Sequence, residues 1–108
     1  MAKKSTKKVT TVEISRKEVI SFDEVISIAK NNGYEGDENL FLIQEWIRNK
    51  YNLHGEIFYS LFHKKWSINN YFVNTLKGER VNWDYKSINY DTYNDALLIL
   101  IYNLLLCL

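Results

Sequence analysis

Cysteine, histidine and paired carboxylates are the side chains through which a chain of this size would do chemistry, and here they are few. Cys107 is the only cysteine, and His54 and His63 are the only histidines, in 108 residues. A Cys–His nucleophile pair would need Cys107, one residue from the end of the sequence, to meet a histidine in a shaped cleft. The three residues do not make a spacing that metal sites use. Asp91 and Asp95 could share one helix face, as acid–base carboxylates do, but both stand where a helix begins, and capping accounts for them. Gly33-Tyr34-Glu35-Gly36 lacks the lysine and the spacing of a phosphate-binding loop. The sequence therefore predicts a non-enzyme, with no catalytic or metal site, no cofactor and no small-molecule substrate.

Binding is the chemistry that remains. The formal net charge is +1, but setting aside Lys3, Lys4, Lys7 and Lys8 leaves 10 basic against 13 acidic residues, about −3. A strongly basic nucleic-acid-binding body is not indicated. Lys64, Lys65, Lys77, Arg80 and Lys86 do lie among Trp66, Tyr71, Trp83, Tyr85 and Tyr90. Aromatic side chains on a sheet can stack bases, so nucleic-acid contact through Lys3, Lys4, Lys7, Lys8, Lys64, Lys65, Arg80 and Lys86 stands as the second reading. The same rings, with Trp46, would equally fill a small core, which is the preferred account. Between Phe22 and Glu45 six carboxylates face only Lys30, a local balance of −5. Such charge suits a solvated helix face or a basic partner.

Two composition figures argue for a folded chain: hydrophobic residues make up 46% and aromatics 15%. The length fits one domain. Residues 1–8 read as a basic disordered tail and residues 9–108 as a single domain. No apolar segment of signal-peptide type follows the tail. Ala96–Leu108 is too short, against the ~20 residues that span a bilayer. A cytoplasmic protein, in the host cell if phage-encoded, is expected.

The elements follow from local signals. Val9–Ile14 is β-branched enough for a short strand. Ser21-Phe22-Asp23-Glu24 is a capping-box pattern, with Val25, Ile28 and Ala29 at helical spacing and Asn32-Gly33 as a left-handed stop. Asn39 caps a second helix whose apolar stripe is Leu42, Ile43, Trp46 and Ile47; it ends near Tyr51-Asn52. Strands are expected at Glu56–Tyr59 and over Trp66–Val73, the second bulged at Asn69-Asn70. After a turn at Lys77-Gly78-Glu79, a third strand begins at Arg80–Trp83, with Ile88 and Tyr90 as its extension. Asp91 or Thr92 caps the last helix. The expected fold is α+β, ordered ααβββα: two N-terminal helices, a three-stranded antiparallel sheet, and an apolar C-terminal helix packed on it. Its last five elements share the order of double-stranded RNA-binding domains, but Asp91 and Asp95 stand where those domains carry basic residues.

Four segments also carry a resemblance. Ile28-Ala29-Lys30 with Gly33-Tyr34, Trp46–His54, Trp66-Ser67-Ile68 and Tyr90–Leu97 occur in that order in this chain. The chain resembles a set of small uncharacterised proteins of Bacteroidetes and their phages. Those share a Trp-x-Arg-x-Lys-Tyr-x-Leu-His-type segment and a terminal Tyr-Asp-Thr-Tyr-x-x-Ala-Leu-type helix. The resemblance spans roughly residues 25–108. It implies a small α+β accessory domain of phage or mobile-element type and carries no activity. This chain departs from the set where nothing charged follows Asp95.

That departure sets the main question. Leu97–Leu108 is apolar on every side, and one sheet-facing stripe covers only part of a helix. The remainder needs a second chain, the N-terminal helices or a membrane surface. The first is preferred: self-association, most simply a dimer, through Leu98, Ile101, Leu105 and Leu108, with Asn103 at the seam. The expected function is protein–protein binding.

Overall fold

A short polar side chain starts each helix in the computed structural model, which describes residues 10–15, 21–84 and 89–108. Ser21 Oγ accepts from the Glu24 N–H at 3.2 Å and opens α1 (Phe22–Asn31). Asn39 Oδ1 accepts from the Phe41 and Leu42 N–H groups at 2.8 and 3.2 Å and opens α2 (Leu40–Tyr51). Thr92 Oγ1 accepts from the Asp95 N–H at 3.0 Å and opens α3 (Tyr93–Leu105), which decides between Asp91 and Thr92. Each bond satisfies amide donors that a helix start leaves unpaired.

The stops are equally local. Gly33 has φ +100°, and the Tyr34 N–H returns to the Ala29 carbonyl while the Gly33 N–H returns to Lys30. That pair of bonds is a Schellman ending, which needs a left-handed residue after the cap. Asn52, at φ 58°, ends α2 in the same region of backbone space.

Among the described residues five strands form one sheet: β1 (Thr10–Ser15), β2 (Leu53–Ser60), β3 (Lys65–Asn74), β4 (Glu79–Asp84) and β5 (Asn89–Tyr90). β2, β3 and β4 are antiparallel neighbours, as the sequence suggests. The sheet is larger than the three expected strands. β1 lies parallel to β4 at the far edge, giving the order β1-β4-β3-β2. Tyr90 does not prolong β4; with Asn89 it pairs back onto Trp66 and Ser67 of β3. The register explains the break. Gly55 pairs with Phe72 and Ile57 with Ile68, so Asn69-Asn70-Tyr71 oppose Glu56 alone. This irregularity divides β3 into one half paired with β4 and another paired with β5. It falls at the Asn69-Asn70 bulge that the sequence predicts. The residues of the expected tail, with Tyr85, Lys86 and Ile88, lie outside those described.

Residues opposite one another in a ladder share a face. Leu53, Gly55, Ile57, Ile68, Phe72, Val81 and Trp83 therefore point to one side, and all but the half-buried Ile57 are buried. α3 packs on that side, over β2, β3 and β5. A Cβ on Gly55 would come 2.6 Å from Leu100 Cδ1, so the glycine lets helix and strand approach closely.

α1 and α2 pack against α3, and α2 also touches β2. The last helix is thus enclosed by the sheet and the other two helices. Ala96, Leu97, Leu100 and Ile101 have no exposed surface, and Leu104 and Leu105 very little. This corrects the expected self-association face at Ile101 and Leu105, which the chain's own helices and sheet enclose. Asn103 also lies in the core rather than at a dimer seam, and its amide donates to the Ile99 carbonyl one turn back at 2.8 Å.

Candidate interaction surface

Among the described residues the fold leaves apolar side chains outside at the hairpin tip, at the start of the helices, and at Leu76, Leu106 and Leu108 near the far end of α3; the first two are joined by a run of rings. The turn between β2 and β3 carries Leu61 and Phe62, which are 83% and 89% exposed. Turn positions are usually polar or glycine because nothing covers them. Here Ser60 holds the turn instead: its Oγ accepts from the His63 N–H at 3.2 Å and lies 3.1 Å from His63 Nδ1. Lys64 completes the turn in left-handed backbone, φ 56°. The polar bonds are made behind the tip, and the two apolar side chains stand free of them.

The second place is a groove of about 370 Å³ where the first turns of all three helices meet. Phe22, Leu40, Phe41 and Leu98 form its apolar lining, and Glu38 and Asp95 are carboxylates beside them. The apolar stripe of α2 turns Ile43 and Ile47 fully inward. Phe41 and Leu42, at the start of the helix, are left largely exposed. Leu42 was expected in the buried stripe; it sits on the outer shoulder of that stripe. The N-caps already occupy amide donors in all three first turns, Asp95 adds negative charge, and Glu38 is paired with Lys30 at 2.9 Å. The groove is therefore a poor cradle for an anion and a good one for an apolar or cationic side chain.

Aromatic rings connect the two places. Tyr59 in β2 meets its cross-strand partner Trp66 edge-on, with centroids 5.2 Å apart. Trp66 meets Tyr93 of α3 at 5.2 Å and 90°. Tyr93 stacks on Phe41 at 6.1 Å and 9°. Tyr59 and Phe41 are exposed, while Trp66 and Tyr93 are half-buried. Lys65 fixes the base of the hairpin by an ion pair to Asp91, and that contact holds the Asp91 carboxyl below its ordinary range.

The residues singled out from sequence fall in separate parts of the molecule. Leu98 is half-buried and lines the groove. Leu108 is exposed at the far end of α3, beside Cys107, Leu76 and Lys50. Burial, and secondarily the charge of Glu79, push the Cys107 thiol up to about 11, which opposes thiolate formation at neutral pH. His54 Nε2 lies 3.4 Å from Thr75 Oγ1, whereas His63 belongs to the hairpin turn. Among the described residues no group of three or more His, Cys, Asp or Glu is placed to hold a metal ion. No helix among them is long and apolar enough to cross a membrane.

The basic residues of the second reading do not converge. Lys64 and Lys65 are at the hairpin end of β3. Arg80 is opposite Val73, eight residues along that strand, about 25 Å away at ordinary strand rise. Arg80 lies over the Tyr71 ring at 4.0 Å and donates from Nε to Asn82 at 3.0 Å. Lys65 and Arg80 belong to the sheet face turned away from the helices, and Lys64 to the turn. There Asn69 also donates to Glu56 at 2.8 Å, beside a depression of about 150 Å³ that includes His54 and Tyr71. Asn69 is thus paired with Glu56, and Arg80 with Asn82, on that face. Lys3, Lys4, Lys7, Lys8 and Lys86 lie outside the described residues.

The aromatics of the expected core behave as follows. Trp83 is buried against Phe72, with centroids 5.3 Å apart. Trp46 is half-buried between Tyr34 and Tyr51, with centroids 5.4 Å away on each side. Sequence reasoning passed over Tyr59, Leu61, Phe62 and Phe41. The signal available was an apolar pair, Leu61-Phe62, set directly before His63-Lys64-Lys65 where a turn was required.

No family model matches the chain, and no curated protein or solved structure is detectably similar to it.

Proposed function

We propose that this chain is a non-enzymatic protein-binding module. Its contact surface is the strip from the Leu61–Phe62 tip through Tyr59, Trp66 and Tyr93 to Phe41 and the groove. One observation carries the reading: large apolar side chains stand exposed next to a connected run of rings. Exposed apolar patches of this kind mark interaction sites, and rigid aromatics are the anchors of such interfaces. The order of sequence motifs supports an accessory role of phage or mobile-element type, acting in a host cytoplasm.

The test has two arms. A displayed random-peptide library selected on the wild-type chain should yield binders that perturb the NMR signals of Phe41, Tyr59, Phe62 and Tyr93. Labelled single- and double-stranded DNA and RNA, titrated at two salt concentrations, measure the competing class. Phosphate-driven binding weakens steeply with salt. Salt-sensitive submicromolar nucleic-acid binding, or peptides that map to Tyr71 and Arg80 instead, would contradict the proposal.

A further inference from the structure

Resting on that reading, we infer that the partner is a second copy of this chain. The Leu61–Phe62 tip of each copy seats in the Phe22–Leu40–Phe41–Leu98 groove of the other. The two ends of the strip are complementary in both apolarity and charge. The tip presents two apolar side chains followed by Lys64, and the groove presents an apolar lining with Asp95 beside it, Glu38 being paired with Lys30 at 2.9 Å. A volume of about 370 Å³ is at the small end of binding pockets, room for one or two side chains and no folded element. The tip offers a pair of that size.

Symmetry follows from the layout. The two complementary ends lie on one chain and are joined by the Tyr59–Trp66–Tyr93–Phe41 run. Two strips laid antiparallel place each tip over the other groove at once, with the rings facing their mates across the axis. Such an isologous contact closes at two copies, whereas a single tip-in-groove contact would propagate into open chains. The dimer expected from sequence is proposed again, but of the four residues expected at its face only Leu98 lies at this surface.

Sedimentation equilibrium on the full chain, with thermal melts of every variant, tests this. The wild type should dimerise below about 100 μM. Phe62→Asp should raise the dissociation constant at least about tenfold, with an unchanged melting temperature at concentrations where both chains are monomeric, since the side chain is exposed. Lys64→Glu and Asp95→Lys should each weaken the dimer. An equimolar mixture of those two variants should pair more tightly than either alone, because each repulsion is relieved in the mixed dimer. A wild type that stays monomeric to about 100 μM, a dimer indifferent to Phe62→Asp, or a mixture without preference would each overturn the inference. If the wild type is monomeric while strip-directed peptides still bind, self-pairing alone falls. If those peptides also ignore Phe62→Asp and Phe41→Asp, the protein-binding reading falls with it.

Discussion

Leu97–Leu105 and Leu61–Phe62 are made of the same kind of side chain and meet opposite fates. The first stretch is apolar on all sides and is almost wholly enclosed by the sheet, α1 and α2. The second is only two residues long and remains outside. The difference lies in what surrounds each stretch. α3 sits where β2, β3, β5, α1 and α2 all supply apolar surface. The hairpin tip reaches past the end of the sheet, where only its own turn is near. The amount of apolar residue in a segment therefore does not locate an interface. The supply of apolar surface from the rest of the chain does.

The largest expected effect comes from breaking the enclosed side. Leu100 is fully buried and touches the position of Gly55. Leu100→Ala should cost about 2–5 kcal/mol, as large-to-small core changes do, and Ile101→Glu should abolish folding by burying a charge. Chemical denaturation measures the first and recovery of soluble folded protein the second. A mild response at Ile101 would mean that α3 has a free face after all.

The close approach at Gly55 comes next. Gly55→Val would push a branched side chain against Leu100, at a cost of about 1–3 kcal/mol. Pairing it with Leu100→Ala should recover part of that loss, which a double-mutant cycle reads directly.

The caps give a smaller effect. Thr92→Ala should cost about 1 kcal/mol by leaving the Asp95 amide unpaired. The caps also show what was legible in the sequence. Ser21, Asn39, Gly33 and Asn52 act within a few residues of themselves, so the three helices could be placed from local signals. Asn69-Asn70 marked the irregularity in β3 for the same reason. The parallel pairing of β1 with β4 joins residues about seventy positions apart, and no local pattern specifies it. Counting apolar positions in the last helix showed that a second cover was needed, but not that α1 and α2 provide it. Ile101 and Leu105 were consequently assigned to a partner. Leu61 and Phe62 were missed because an apolar pair carries no turn signal of its own, and only the register puts it just beyond the last paired residue, Ser60.

The smallest stability effect is expected on the open side. Leu61→Ser with Phe62→Ser should change stability by no more than about 0.5 kcal/mol, as exposed substitutions usually do, while weakening any contact made by the strip. A large loss of stability would place the tip inside the fold.

Carbene footprinting of the dilute wild-type chain tests the central claim most directly, because a photoactivated diazirine labels whatever apolar surface the solvent reaches. Heavy labelling of Leu61, Phe62 and Phe41, with little on Ile99–Leu105, is the predicted result. Labelling along Ile99–Leu105 with protection at the hairpin tip would contradict it.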